Sequence, residues 1–264
     1  MDGVLGDVML VNGAPAPITR LPATRHRLRL VNACNARPLR LRFRPAGGPA
    51  LTVQQIGTDI GLLPAPVDRT LIELHPAERV DLVIDLGLLD VGTDVEVVHQ
   101  TDDTTAQVMK LVVDRRGPAS RRVPDVLAAG YRLLDAADPV ASRSFDFRLS
   151  VQRTWTVNGQ QFDPTGSLAD PVMGTVERWT LASDFNHPVH LHLGHFQVIS
   201  MDGRPVPERE HGWKGHGQRH PVRGGRGAGL VLPLRGPVHA ALPQPRARGH
   251  GDDGQLHRAR APSP

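Results

Sequence analysis

Cysteine and long apolar runs are nearly absent from this chain of 264 residues. The single cysteine, Cys34, excludes an internal disulfide and a thiolate-rich zinc site. No run of about 18 apolar residues occurs, so no segment is expected to span a membrane. The opening residues, "MDGVLGDVML", contain no basic segment followed by an apolar stretch, so no secretory signal peptide is predicted.

Glycine and proline are abundant instead, at 27 and 24 residues beside a hydrophobic content of 39%. This balance favours strands and turns over a helical bundle. Short alternating runs bounded by turn residues fill positions 6–113 and begin again after position 143, at about the 8–12-residue spacing typical of a sandwich or barrel. Residues 115–143 are rich in Arg, Pro and Ala and are predicted to link two domains, with a short helix allowed over "DVLAAGYRLLDAAD".

The net charge of +4 is concentrated at one end of the chain. Residues 215–264 hold eight of the 31 basic residues and two of the 27 acidic ones, so the other 214 residues are nearly neutral. This tail has no aromatic residue and no lysine, and its composition predicts disorder. A basic arm that binds nucleic acid remains a rival hypothesis, but the scattered arginines and missing aromatics argue against it.

Four histidines fall within nine residues of the stretch "NHPVHLHLGHFQVIS". Residues two apart share a face of a strand, so His190 and His192 are predicted to point the same way, about 7 Å apart. This distance is too long for ideal chelation of one ion, but it suits two ions of a polynuclear site. Imidazole accepts copper, zinc, iron or nickel, so the spacing does not choose the metal. The alternative is a polar strand face with hydrogen-bonded histidines, and His195 is interpreted in that ordinary way.

The motif "HPVHLHLGHFQVI" resembles the first histidine motif in the last cupredoxin domain of multicopper oxidases, the laccase-like and bilirubin-oxidase-like group. The preceding "WTVNGQQFDP" and "MGTVERWTL" agree with that domain. The stretches "LVNGAPAP", "IGTDIGLLPAPV" and "LHPAERVDLVIDL" resemble the middle cupredoxin domain of the same family. The resemblance covers about residues 6–214.

The resemblance implies a copper cofactor and a role for each of three histidines. His187 would bind the mononuclear blue copper, His190 the type 2 copper, and His192 one of the paired type 3 coppers. The family oxidises a small-molecule reductant one electron at a time at the blue copper. The electrons then pass to the trinuclear centre, where dioxygen is reduced to water.

Three departures from the family pattern stand out. The first cupredoxin domain and the opening strand of the middle one are missing, and Ile60 replaces a usual glycine, which is expected to strain a turn. The His-Cys-His motif that carries the blue-copper thiolate is also missing. Cys34 cannot replace it, because it lies in the middle domain, where a small buried side chain is expected.

A frameshift would explain the missing motif. When the degenerate codons from Val238 onward are read one nucleotide later, they permit Y-M-L-H-C-H-N-L-E-H-E-D-M-G-M-M, and the same shift after Lys214 permits D-T-V-N-V-T-P-Y-E. The tail also fits a GC-rich gene, which the 29 arginines and two lysines indicate. We interpret residues 215–264 as the product of a one-nucleotide insertion near codon 214.

The sequence thus predicts an all-β chain of two cupredoxin-like Greek-key β-sandwiches, both incomplete, with a disordered C-terminal tail. The domains are residues 1–114, 144–214 and the tail 215–264, joined by the linker 115–143. Without its last strands the second sandwich should expose an edge and part of its core, which predicts poor solubility.

The predicted function is that of a copper-dependent oxidase fragment acting on phenolic, aromatic or metal-ion reductants with dioxygen, inactive as written. The alternative is a non-redox metal-binding or structural β module. Assembly with a separate chain that carries the first domain is a third hypothesis, and neither nucleic acid nor a membrane is an expected partner. The family implies a periplasmic or extracellular location.

Overall fold

The structure is a computed structural model that describes residues 5–134, 138–172, 174–184, 187–191, 195–219, 228–233 and 240–241. Strands dominate these residues, and the helical turns are 3-10 turns such as Leu86–Leu88 and Glu208–Glu210. Within the described part of the chain, no helix has the length and apolar character needed to cross a membrane. The all-β prediction is confirmed.

Residues 5–116, all described, form eleven strands of the first sandwich in chain order. They are β1 (Leu10–Val11), β2 (Ala14–Pro15), β3 (Ile18–Ala23), β4 (Arg25–Val31), β5 (Leu39–Pro45), β6 (Val53–Gly57), β7 (Leu62–Arg69), β8 (Ile72–Leu74), β9 (Arg79–Asp85), β10 (Asp94–Gln100) and β11 (Thr105–Arg116). One sheet has the order β3-β11-β10-β5-β8 and the other β4-β9-β6-β7, while β1 and β2 form a hairpin. Alternate residues of both sheets, such as Phe43, Val97, Leu82 and Ile84, are buried in one core, as period-two patterning requires.

In the second sandwich the described residues form nine strands. They are β12 (Ala141–Leu149), β13 (Trp155–Val157), β14 (Val176–Ser183), β15 (His187–Leu191), β16 (Gln197–Met201), β17 (Arg204–Pro205), β18 (His216–Arg219), β19 (Ala228–Pro233) and β20 (Ala240–Ala241). Six strands form a sheet with the order β13-β12-β14-β19-β16-β17, and three form the order β18-β15-β20. Trp179 and Leu181 of the first sheet share a core with Val189 and Leu191 of the second, and Phe145 stacks at a tilt on Trp179 with 4.6 Å between ring centroids.

The tail differs from its prediction in three segments. Residues 216–219, 228–233 and 240–241 form strands, although composition alone predicted disorder for the whole of 215–264. Strand β19 lies between β14 and β16, so the edge that the sequence predicted to be open is covered there. The physical reason is local: Leu230, Val231 and Leu232 form a short apolar run that can complete the hydrogen-bonding ladder of a central strand.

The connection between the sandwiches runs from the end of β11 at Arg116 to the start of β12 at Ala141. The short helix allowed over residues 125–138 is not formed at 125–133, Leu134 lies in a 3-10 turn, and residues 135–137 lie outside the described part. The connection is held to the second sandwich by buried Gln197, whose side chain accepts the Leu134 N–H and donates to the Arg132 carbonyl, both at 2.8 Å.

Ile60 does not strain its turn as expected. Positive φ angles among the described residues other than glycine occur at Asn12, Ala16, Ala77, Arg153, Asn158 and Asp202, not at Ile60. The turn from Thr58 to Gly61 is closed by a backbone hydrogen bond of 2.9 Å and does not need the left-handed region at position 60.

Candidate metal centre

Strand β15 carries the central part of the histidine motif. Val189 and Leu191 are 3% and 2% exposed and face the second core. Because side chains alternate along a strand, His190 lies on the opposite face, where it is half-buried. The sequence pattern apolar–His–apolar therefore separates core residues from a histidine that faces away from the core.

The His190 ring is oriented by a backbone carbonyl. Its Nδ1 lies 2.7 Å from the Gly215 carbonyl oxygen, which also accepts the Leu191 N–H at 3.3 Å. A carbonyl oxygen can only accept, so Nδ1 carries the proton and the neutral ring keeps its lone pair on Nε2. A histidine that donates one ring N–H to a carbonyl is the form in which imidazoles bind metals. The orientation of the His190 ring is therefore suitable for binding a metal ion such as copper.

Two short strands of the tail flank β15. His190 pairs in register with His216 of β18 on one side and with Ala241 of β20 on the other. The residue at position 241 is thus a direct neighbour of His190 across the sheet. This is the position at which the shifted codons permit the first histidine of His-Cys-His.

The other predicted ligands are described less fully. The backbone of His187 lies in β15 opposite Arg219, and His192 lies outside the described residues. His195 follows β15 and is exposed. Cys34 is partly buried against the first core, away from the histidine motif, in line with its structural interpretation. Within the described ranges, no three His, Cys, Asp or Glu side chains converge as a metal site.

A buried charged cluster joins the two sandwiches beside this strand. Lys214 is 9% exposed, and its Nζ pairs with Glu210 and lies 3.9 Å from Glu78 Oε1. Burial raises the pKa of Glu78, with Lys214 opposing the shift. Burial acts against charge on Lys214 as well, but attraction to Glu210 and Glu78 raises its pKa above the ordinary value. The lysine is therefore a fixed cation at the junction.

Sequence reasoning missed the residues that connect this junction to His190. Asp59 Oδ2 accepts the Gly215 N–H at 3.2 Å, and Thr58 Oγ1 donates to the Trp213 carbonyl at 3.0 Å. Asp59 occurs in "IGTDIGLLPAPV", which resembles the family, and Lys214 lies at the end of the region of resemblance. Their separation of 155 residues gave no local signal that they meet.

Comparison with known proteins supports the interpretation from the histidine motif. Residues 137–231 match a family model described as Multicopper oxidase. Bilirubin oxidase from Albifimbria verrucaria is 32% identical over 79% of this chain and 40% of its own length. Cell division protein FtsP from Photorhabdus laumondii is 31% identical over 80% of this chain and 46% of its own length.

The fold agrees with a solved relative. The bacterial laccase-like multi-copper oxidase CueO from Ochrobactrum sp. matches with a TM-score of 0.75 and 26% identity, over 89% of this chain and 54% of that one. The chain spans about half the length of the proteins it matches. Its two sandwiches, its histidine strand and these similarities together assign the chain to the multicopper oxidase family.

Proposed function

We propose that this chain represents the middle and last domains of a copper-dependent oxidase. The parent protein would oxidise phenolic, aromatic or metal-ion reductants one electron at a time and reduce dioxygen to water. Copper, when bound, would supply the redox chemistry. The observation that carries the proposal is the His190 ring, held by the Gly215 carbonyl with its lone pair on Nε2.

In this proposal each of three histidines binds a different copper ion. His187 binds the blue copper, His190 the type 2 copper and His192 a type 3 copper, as in the family that the motif resembles. The work of the chain is to orient these rings and to shield them from water. A first domain, on the same or a separate polypeptide, supplies the remaining imidazoles, and the parent protein acts in the periplasm or outside the cell.

The chain as written is proposed to be inactive. Its one cysteine lies in the first sandwich, so no thiolate is available to a blue copper beside β15. A one-nucleotide insertion near codon 214 would account for this loss. The register supports the idea, because the shifted codons permit histidine at position 241, opposite His190, and cysteine at position 242.

Nucleotide sequencing of the locus tests the insertion directly. We expect one extra nucleotide near codon 214 and a His-Cys-His sequence in the restored frame. If the shifted frame of the actual gene encodes no His-Cys-His, the insertion hypothesis is wrong. The chain as written and a frame-restored version should then be compared for bound copper and blue absorption. The frame-restored version should show the blue absorption band. If the present chain is itself blue and active, its proposed inactivity is refuted.

A second candidate is a structural β module without redox function. It is supported by the similarity to FtsP, whose name refers to cell division and not to oxidation. Metal analysis of the dialysed, frame-restored protein separates the candidates. Copper that is retained after dialysis, and that falls in amount in His190→Ala, supports the oxidase. His195→Ala is the matched control, because His195 is exposed and lies outside the proposed ligand set. Trace or freely exchangeable zinc in the frame-restored protein supports the module.

A further inference from the structure

Asp59 is a buried carboxylate that accepts backbone hydrogen bonds from both sandwiches. Its side chain is 2% exposed. Oδ1 accepts the Arg79 N–H at 2.8 Å within the first sandwich, and Oδ2 accepts the Gly215 N–H at 3.2 Å in the second. The Arg79 guanidinium lies 3.9 Å from Oδ1 and donates to the Asp59 carbonyl at 3.2 Å. The carboxylate is therefore held in one orientation.

Gly215 transmits this constraint to the histidine strand. Its N–H is bound by Asp59, and its carbonyl accepts from His190 Nδ1 at 2.7 Å. These two groups belong to neighbouring peptide units that meet at the Gly215 Cα, so a change in the Gly215 dihedrals after loss of one hydrogen bond can move the other group. Ile60 packs close to Gly215, since a Cβ added there would lie 3.2 Å from Ile60 Cδ1. The peptide of Gly215 thus has little freedom to turn its carbonyl away from the ring.

The residues before Gly215 are fixed by different partners. Lys214 exchanges two backbone hydrogen bonds with Phe196, at 2.8 and 3.0 Å. Trp213 is bound through its carbonyl by Thr58 at 3.0 Å. Loss of the Asp59 carboxylate would therefore remove one restraint on the backbone of Gly215, while the hydrogen bonds from Phe196 to Lys214 and from Thr58 to Trp213 stay in place. This separation makes a local effect of Asp59 measurable.

We propose that Asp59 is a positioning residue that sets the tautomer and orientation of His190 through Gly215. The first sandwich thereby tunes the affinity of a divalent transition metal bound in the second. The metal part of this inference rests on the proposed function, whereas the tautomer part does not. Groups that orient metal-binding histidines typically change metal affinity by about 10–100-fold, and the indirect path through one peptide favours the lower end.

The tautomer is tested by nitrogen NMR of the full chain with labelled histidine, at a pH where the ring is neutral. The His190 signal is identified by its loss in His190→Ala. We expect wild-type His190 to be protonated at Nδ1, and Asp59→Ala to populate the Nε2–H form as well. Asp59→Asn keeps one acceptor oxygen and should fall between the two. If Asp59→Ala does not fold, Asp59→Asn alone tests whether the His190 tautomer depends on Asp59.

Asp85→Ala is the matched control. Asp85 also accepts a glycine N–H, from Gly87 at 3.0 Å, and pairs with an arginine, Arg25, at 2.7 Å. Its loss should destabilise the first sandwich without changing the His190 spectrum. A tautomer shift of equal size in Asp85→Ala would show a general loosening and would overturn the positioning role.

Titration with Cu²⁺, followed by the electron paramagnetic resonance of the bound ion, tests the metal part on the same variants. Affinity should fall by about 10-fold in Asp59→Ala and stay unchanged in Asp85→Ala. If the tautomer shifts but no variant binds Cu²⁺ at His190, the positioning role stands and the proposed function fails. If the His190 tautomer and spectrum are unchanged in both folded Asp59 variants, the inference is overturned.

Discussion

Thr58 of the first sandwich and Gly212 of the second are in direct contact. A Cβ added to Gly212 would lie 2.5 Å from Thr58 Oγ1, a separation that requires a shift, and 3.3 Å from Leu63 Cδ2. Thr58 Oγ1 is also held by its hydrogen bond to the Trp213 carbonyl. The junction between the sandwiches is therefore packed too tightly at this point for any side chain larger than hydrogen.

Gly212→Ala is expected to lower the free energy of unfolding by about 1–3 kcal/mol, because overpacking must displace Thr58 and its hydrogen bond. Chemical denaturation followed by tryptophan fluorescence measures this loss. Gly130→Ala is the control, since nothing lies within 4 Å of a Cβ there and its φ is not positive. Equal stability of the two variants would contradict the packing at Gly212.

Glu78 and Glu210 should give opposite pH signatures although both face Lys214. Burial raises the pKa of Glu78 above its ordinary 4.5, so its protonated form stabilises the fold below pH 4.5 and that contribution is lost as pH rises through the raised value. Burial also opposes charge on Glu210, but the attraction and hydrogen bond of Lys214, with Arg209 and Arg69, together outweigh it and lower the pKa below 4.5. The Glu210 contribution is present above pH 4.5 and is lost as pH falls.

The two isosteric variants separate these effects. Glu78→Gln should remove part of the decline in stability above pH 4.5, and Glu210→Gln should remove part of the decline below it. Denaturation curves across a pH series measure both slopes. A common pH dependence for the two variants would show that Lys214 does not distinguish its carboxylate neighbours.

Glu177 anchors the six-stranded sheet of the second sandwich. Its side chain is 2% exposed, accepts Arg143 Nε and Nη2 at 2.6 and 2.9 Å, and accepts Trp179 Nε1 at 2.8 Å. Glu177→Ala leaves these donors unpaired and should cost about 3 kcal/mol. Asp125→Ala breaks the Arg122–Asp125 pair, in which both side chains are more than 80% exposed, and should cost about 0–1 kcal/mol. Thermal unfolding of both variants checks the difference.

Strand β19 is expected to be necessary for the second sandwich. Val231 pairs with Arg178 of β14 and with Gln197 of β16, so it occupies a central strand. Val231→Pro removes a backbone donor there and should destabilise the second sandwich by about 2 kcal/mol or more, with little effect on the first. Val231→Thr keeps the N–H and serves as the control. Hydrogen exchange resolved by peptide would show protection lost around β14 and β16, and unchanged protection there would mean that β19 is dispensable.

Much of the local structure could be predicted from the chain itself. Alternating runs such as "RHRLRLV" and "RVDLVID" became β4 and β9, which pair in register from Arg25 opposite Asp85 to Val31 opposite Arg79. The histidine spacing predicted a metal-binding strand. The structure places His190 on β15 with Nδ1 2.7 Å from the Gly215 carbonyl oxygen, and metal binding there stays a prediction. Disorder of the tail was predicted from its average composition. That average does not show the apolar run at positions 230–232, which lies within β19.

Residue order alone therefore determined the β-class, the division into two sandwiches and the histidine strand, because period-two alternation and short motifs are local properties. Only the tertiary structure decided that Asp59 binds the peptide of Gly215, that Thr58 excludes a side chain at Gly212, and that position 241 faces His190. These contacts join residues far apart in the chain. They exist because burial of two cores brings the sandwiches together and leaves backbone polar groups that must find partners at the junction.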